Sequence, residues 1–272
     1  MKVTLSALWV RIFAILLIVV VGCKSYNIRP NISAEDRFEL AKTMFQKKDY
    51  FEAKTQFKIL TLNNPGAKFI DEAQYYLGES HFYMKEYILA ADEYSRLIRL
   101  YPKSNWVDDA QFKIALCDFK LSPKPTLDQK YTILAVEHFQ RFLEDFPTSE
   151  LVPEAEKMLK ICRTKLAEKD FRNANLYRKL SDYYAALVYF NSVLDGYYDT
   201  KFAHSALFWK GECLYKLKRT DEAMEVFEEL IEKYPRSKYR AKALKRFKEI
   251  KLDLIKTHQA DGKIPLSTKN KN

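Results

Sequence analysis

Apolar residues recur along this chain at helical spacing, in short stretches that end at polar turn residues. The clearest landmark is an alanine followed four residues later by an aromatic ring: Ala53–Phe57, Ala90–Tyr94, Ala135–Phe139, Ala186–Phe190 and Ala223–Phe227. Eight residues beyond each ring the pattern stops, at Pro65, Pro102, Pro147, Tyr198 and Pro235. Residues four apart share one face of a helix, so each pair predicts an amphipathic helix with one small and one large contact point. The helix before it carries another small residue: Ala41, Gly78, Ala115, Ala174 and Gly211. This residue stands twelve positions ahead of the alanine wherever no insertion intervenes. Rings flank it at i−3 (Phe38, Tyr75, Phe112, Phe208) and at i+4 (Phe45, Phe82, Phe119, Tyr215). Close helix approach at the small residue accounts for glycine inside a helix, where it costs about 1 kcal/mol.

Five helix pairs follow, at about 34–67, 70–104, 107–149, 151–200 and 202–236. Their landmarks are 37, 45, 51 and 37 residues apart. The third unit's extra residues surround Pro123 and Pro125, which forbid a continuous helix. The fourth unit's extra length predicts longer helices and no added module. Residues 238–256 predict one more helix, whose stripe of Ala243, Leu244, Phe247, Ile250 and Leu254 would cap the open end. Residues 257–272 read as a disordered tail. A fixed internal period marks a repeat protein. The small residues at two crossing points, the ring four after the second and the closing proline resemble the tetratricopeptide repeat, in a lengthened form. The expected fold is all-α: a tetratricopeptide-repeat solenoid of five helix pairs and a C-terminal capping helix.

The first 33 residues have a different pattern. Lys2 and Arg11 precede an apolar run, Ile12–Val21, which with Gly22 spans 11 residues. As a helix that is ~16 Å, against ~30 Å for a bilayer core, so the run reads as a signal-peptide core and not a membrane span. It ends in Val20-Val21-Gly22-Cys23, which resembles the lipobox of bacterial lipoproteins. That resemblance implies a leader at 1–22, cleavage before Cys23, acylation of Cys23 and a tether over 23–33. The alternative is an ordinary cleaved signal beside a chance cysteine. Cys117, Cys162 and Cys213 remain, each inside a helical pattern. They read as small buried apolar residues, with one disulfide plus a free thiol as the alternative.

Composition removes several classes. Only 6 glycines are present, none in a phosphate-cradling loop, which argues against a nucleotide site. Much of the net charge of +10 lies after Pro235, in Arg236, Lys238, Arg240, Lys242, Lys245, Arg246, Lys248, Lys251 and Lys256. Such an end suits nucleic acid, anionic lipid or an acidic protein, and an exported chain meets no nucleic acid. His81, His138, His204 and His258 are scattered and form no His-x-x-x-His or His-Glu motif, so they read as surface or packing residues. The carboxylates of Glu222, Glu225, Glu228, Glu229 and Glu232 read as a solvated helix face. No catalytic group, metal site or cofactor is expected beyond the lipid on Cys23, and the chain is not expected to be an enzyme.

A narrower resemblance lies in the turns and the long repeats. Tyr101-Pro102-Lys103-Ser104, Phe146-Pro147-Thr148-Ser149 and Tyr234-Pro235-Arg236-Ser237 share an ending in which the serine is expected to cap the next helix. The fourth repeat departs from it, with Gly196-Tyr197-Tyr198-Asp199. The third repeat carries Asp128-Gln129, Ala135 and Phe139-Gln140-Arg141-Phe142-Leu143. Arg163-x-x-Leu166-Ala167-Glu168-Lys169 and Tyr177-Arg178-Lys179 follow it. With the lipobox in front, these residues resemble the BamD family of outer-membrane assembly lipoproteins. The resemblance implies an anchor in the outer membrane, facing the periplasm. It implies repeats 4–5 and the capping helix (150–256) docking a β-barrel insertase through its POTRA-type periplasmic domains. It also implies repeats 1–3 (34–149) receiving unfolded β-barrel clients. The candidate contact residues are Tyr76, Tyr83 and Tyr87, which fall off the ring-small-ring face, and Tyr183, Tyr184 and Tyr197 in the C-terminal half. For the rings on that face, packing within a repeat is the competing expectation. A repeat lipoprotein that scaffolds peptidoglycan enzymes is the alternative function.

Overall fold

The computed structural model describes residues 32–260, so the expected leader, Cys23 and the first part of the tether lie outside the described residues. Within that range there are eleven α-helices and no strand. They pair as α1 (Ala34–Gln46) with α2 (Tyr50–Asn63), α3 (Ile70–Tyr83) with α4 (Tyr87–Leu100), and α5 (Val107–Leu121) with α6 (Lys130–Asp145). Then come α7 (Val152–Lys179) with α8 (Tyr183–Gly196), α9 (Ala203–Lys216) with α10 (Thr220–Lys233), and a closing α11 (Arg240–Ala260). Each helix packs on its successor, and first helices also touch across repeats, α1 on α3 and α5 on α7. The fold is a tetratricopeptide-repeat solenoid.

One aromatic contact builds every repeat. The first-helix ring meets the second-helix ring in Phe38–Phe57, Tyr75–Tyr94, Phe112–Phe139, Phe171–Phe190 and Phe208–Phe227, at centroid distances of 6.2, 5.7, 5.8, 5.9 and 6.1 Å. Phe171 completes the set; it lies three residues before Ala174, a position the sequence reading passed over. The second-helix ring is wholly buried in all five pairs, as is the alanine four residues before it. The small residue on the first helix makes room for it. A Cβ placed on Gly78 would stand 2.6 Å from the Tyr94 ring, and one on Gly211 2.7 Å from the Phe227 ring.

A third ring joins consecutive repeats. The residue that leads into the next first helix packs on the ring of the previous one: Phe69 on Phe38, Trp106 on Tyr75 and Tyr239 on Phe208 stacked at 4.7, 4.5 and 4.7 Å, and Phe202 on Phe171 tilted at 5.3 Å. Leu151 stands at this place before α7. These leading residues therefore give no side-chain cap to their helices.

Contrary to expectation, the serines after the closing prolines do not cap the next helix. Two turn residues separate Ser104 and Ser149 from the following helix, so each hydroxyl accepts from the amide two along, Trp106 at 3.1 Å and Leu151 at 3.3 Å. Each then donates to the preceding first helix, Ser104 to Asp71 at 2.6 Å and Ser149 to Asp108 at 2.9 Å. The fourth turn, expected to differ, has the same backbone bond: Thr200 N–H to Tyr197 C=O at 3.1 Å, as Ser104 to Tyr101 at 3.0 Å. Turns within repeats place Lys48, Lys85, Ser181 and Lys218 in the left-handed region, at φ of 63–64°. The next amide bonds back five residues, as in Asp49 N–H to Met44 C=O at 2.9 Å.

Three further differences concern length and chemistry. In the fourth repeat only the first helix is lengthened: α7 has 28 residues, whereas α8 has 14. The helix expected to end at residue 256 continues through Ala260, taking up the start of the expected tail, because no glycine or proline interrupts residues 240–260; the rest of that tail, 261–272, lies outside the described residues. Ala243 and Ile250 of α11 are buried against the last repeat, with Phe247 and Leu254 packed beside them. Cys117, Cys162 and Cys213 are buried free thiols, pushed by burial up to about 12, 11 and 12.

Gly78→Ala should lower stability by about 1–3 kcal/mol, the usual cost of forcing extra volume into a packed core. In a Tyr94→Leu background, itself less stable, Gly78→Ala should cost less than it does in the wild type, because the ring is what the methyl group meets. Thermal melting of the two single variants and the double variant checks both expectations.

Candidate partner-binding surfaces

Tyr76 lies on α3, between repeats. It stacks on Phe57 at 5.6 Å and meets Phe45 and Trp106 edge-on at 5.1 and 6.0 Å. The Lys42 ammonium lies 5.8 Å from its centroid, and burial raises its phenol above the usual value. Tyr83, two helical turns on, stacks on Tyr50 at 4.9 Å and keeps 49% of its surface exposed. Phe45 touches both, so Phe57, Tyr76, Phe45, Tyr83 and Tyr50 form one aromatic row that ends in solvent at Tyr83. Tyr87 opens α4, the second helix of the same repeat, and packs edge-on against Phe82 at 5.4 Å. The structure thus joins Tyr76 to Tyr83 through Phe45, and Tyr83 to Tyr87 through Phe82, which meets both edge-on at 5.9 and 5.4 Å. Tyr50 was missed by the sequence reading. Its signal was present, since Tyr50, Tyr87 and Tyr183 each stand three residues before a crossing alanine.

The C-terminal candidates do not converge. Tyr183 packs against the core of the last two repeats, whereas its neighbour Tyr184 is 65% exposed. Tyr197 sits past the other end of α8, ~20 Å along a helix of this length. Burial raises its phenol, and the Arg163 guanidinium lies 5.8 Å from its ring.

Arg163 itself holds the turn. Its fork takes both oxygens of Asp199, at 3.1 and 2.6 Å, and the Gly196 carbonyl at 3.0 Å. On the other side of α7, the Lys165 ammonium donates to Ser122 Oγ at 2.6 Å and that of Lys169 to the Leu127 carbonyl at 3.0 Å. The Arg163–Lys169 segment therefore clamps the inserted loop and the fourth closing turn, while Leu166 and Ala167 are buried between. Near the cap, Arg178 lies 3.9 Å over Trp209, and Arg246 grips Glu212 through two bonds of 2.8 and 3.0 Å. Lys242, Lys245, Lys248, Lys251 and Lys256 are exposed along α11.

Several buried polar groups are paired across helices, whereas the buried Asn191 Oδ1 has no hydrogen-bond partner. Glu79 receives the Tyr94 hydroxyl and the Lys113 ammonium, the latter at 2.6 Å. His81 Nδ1 lies 2.6 Å from Glu86, and His138 Nδ1 lies 2.6 Å from Asp118. Both histidines therefore stand beside carboxylates from five to twenty residues away, a pairing that sequence motifs did not reveal. Glu86 is partly desolvated, yet His81 and Lys54 hold its carboxyl below the usual range. Among the described residues no three His, Cys, Asp or Glu side chains come together to hold a metal.

Helix pairs of this kind, with buried polar groups spent on packing and aromatic and charged side chains left at the surface, define a protein-interaction scaffold. Residues 30–226 match the family model YfiO, described as outer membrane lipoprotein. The chain belongs to this family of outer-membrane lipoproteins, also known by its member BamD. No curated protein is similar at a significant level. Similar solved structures include the TPR2AB domain of yeast Sti1 in complex with pHSP90, at 16% identity and TM-score 0.41, covering 84% of this chain and 86% of that one. MamA from Desulfovibrio magneticus RS-1 is 14% identical, with TM-score 0.38 and coverage of 73% and 93%. YrrB, described as a TPR protein with an unusual peptide-binding site, is 18% identical, with TM-score 0.37 and coverage of 78% and 92%.

Asp199→Asn should cost about 1 kcal/mol at neutral pH, the scale of a forked Arg–carboxylate contact that is partly exposed. Arg163 bonds to the carboxylate and lowers its proton affinity in the fold. Its contribution is therefore complete above the ordinary carboxylate range and is lost as pH falls through the lowered value. Melting curves of wild type and variant should differ near pH 7 and converge in acid.

Proposed function

We propose that the protein is a lipid-anchored adaptor of the machinery that inserts β-barrel proteins into the outer membrane. Cys23 carries the anchor and the solenoid faces the periplasm. Repeats 4–5 and the capping helix dock the POTRA-type periplasmic domains of the insertase. Repeats 1–3 receive unfolded barrel clients, for which the Tyr76–Tyr83 row offers aromatic surface. The observation that carries this reading is the family match over residues 30–226. Two others support it: the Gly22-Cys23 junction behind a short apolar run, and the absence among the described residues of any helix long and apolar enough to cross a membrane.

Co-purification in mild detergent should recover a large β-barrel protein with tandem periplasmic domains. Recovery of a peptidoglycan synthase with no barrel protein would overturn the assignment in favour of a cell-wall scaffold. Cys23→Ser should move the protein from the membrane to the soluble fraction, since each buried acyl methylene contributes about 0.8 kcal/mol. Retention of that variant in membranes after a high-salt wash would show that the lipid is not the anchor.

A further inference from the structure

The outer faces of the second helices carry a feature that neither packing nor solvation explains. Two residues before each crossing alanine stand Phe51, Ile88, Ile133 and Tyr184, with 59, 60, 48 and 65% of their surfaces exposed. Two residues is about 200° around a helix, so these side chains lie opposite the buried stripe. Exposed apolar residues are ordinary when scattered. Here one large apolar residue recurs at the same place in four consecutive repeats, and the fifth has Asp221 there. On α2 and α4 the row is widened by Leu62, Leu89 and Leu100, which are 64, 49 and 54% exposed.

The charge around this row changes along the stack. Lys47, Lys48, Lys58, Lys85, Arg96 and Arg99 are exposed in the first two repeats, Arg96 with Glu93 at 3.5 Å, and outnumber the one exposed carboxylate of α2 and α4, Asp92. On the outer face of α10 the exposed groups are Asp221, Glu225, Glu228 and Glu232. Apolar side chains ringed by lysine and arginine suit an anionic lipid surface, into which rings settle by ~5–10 Å. The acidic outer face of α10 is repelled by the same surface; the exposed lysines of α11, which would be drawn to it, sit at the far end of the solenoid, and the short tether decides between the two ends. The point of tethering agrees. Residue 32 is nine positions after Cys23, a span of at most ~30 Å when fully extended. An anchor at Cys23 therefore keeps the start of the first repeat within that distance of the bilayer and leaves repeat 5, at the other end of the stack, free to stand away.

The geometry points to a membrane-seated footprint on the outer face of the first two repeats, with Phe51, Ile88 and Leu89 inserted among anionic headgroups and the C-terminal repeats directed away. This orientation rests on the anchor assigned to Cys23 and adds to it a second contact made by the fold itself. That contact would leave the Tyr76–Tyr83 row, on the first-helix side, open to a partner.

The test uses the full lipidated chain in vesicles of phosphatidylethanolamine and phosphatidylglycerol. Phe51→Cys, Ile88→Cys and Glu225→Cys are labelled one at a time with a polarity-sensitive fluorophore. The three internal cysteines are at most 1% exposed and stay unlabelled. Labels at 51 and 88 should shift to the blue and lose most of their emission to doxyl-lipid quenchers. The label at 225 should do neither. Equal, weak quenching at all three sites in a chain that still floats with the vesicles overturns the footprint while keeping the anchor. A chain that fails to float overturns the anchor and the orientation with it. A blue shift at 51 that grows with protein density and resists the lipid quenchers assigns the face to a second copy, and also overturns the proposal.

Discussion

The structure depends on one contact repeated five times: a ring on the first helix against a ring on the second, with a small residue beside it to let the helices close. The contact works because the second-helix ring is wholly buried and has nowhere else to go. Where the small residue is glycine, even one methyl group would enter the facing ring. The same first-helix ring then receives the leading aromatic residue of the next repeat. Stacking thus spreads from pair to pair through rings 31 residues apart, as in Phe38 to Phe69 and Phe208 to Tyr239. Each repeat buries its neighbour's open face, which is why a separate capping helix is needed at the end.

Much of this was legible in the sequence, for a physical reason. Buried rings and small residues tolerate little change in spacing, so their period survives even where loops lengthen. The five pairs, the cap and the family could be read from Ala53, Ala90, Ala135, Ala186, Ala223 and the residues around them. What escaped is what periodicity does not encode. The serines after the closing prolines bond their own turn and the preceding first helix, because a two-residue turn separates them from the next helix. Phe171 was hidden inside the long α7, where the first-helix pattern has Arg178 in place of the second ring.

The candidate site was less legible than the fold. Tyr76, Tyr83, Tyr87, Tyr183, Tyr184 and Tyr197 were chosen by their position off the packing face, and helical position alone does not say which neighbour covers a ring. Tyr76 is enclosed by Phe57, Phe45 and Trp106, which come from three other elements. Tyr183 and Tyr184 are adjacent in sequence, yet one is packed and the other open. The ion pairs also join residues from separate repeats: Lys42 with Glu72, Lys113 with Glu79, Arg246 with Glu212. No local motif announces such partners, because each depends on how one repeat is set against the next.

The long helix α7 has a mechanical consequence. At 28 residues it is ~42 Å of continuous hydrogen-bonded rod. Its first half belongs to the third repeat's core, through Ala155 and Cys162, and its second half to the core of the last two repeats, through Ala174. Between them Lys165 and Lys169 hold the inserted loop, and Arg163 holds the fourth closing turn. A load applied to the C-terminal repeats is therefore carried to the third repeat as displacement of one stiff beam. The two ends of the stack shift together unless α7 bends or its three basic clamps release.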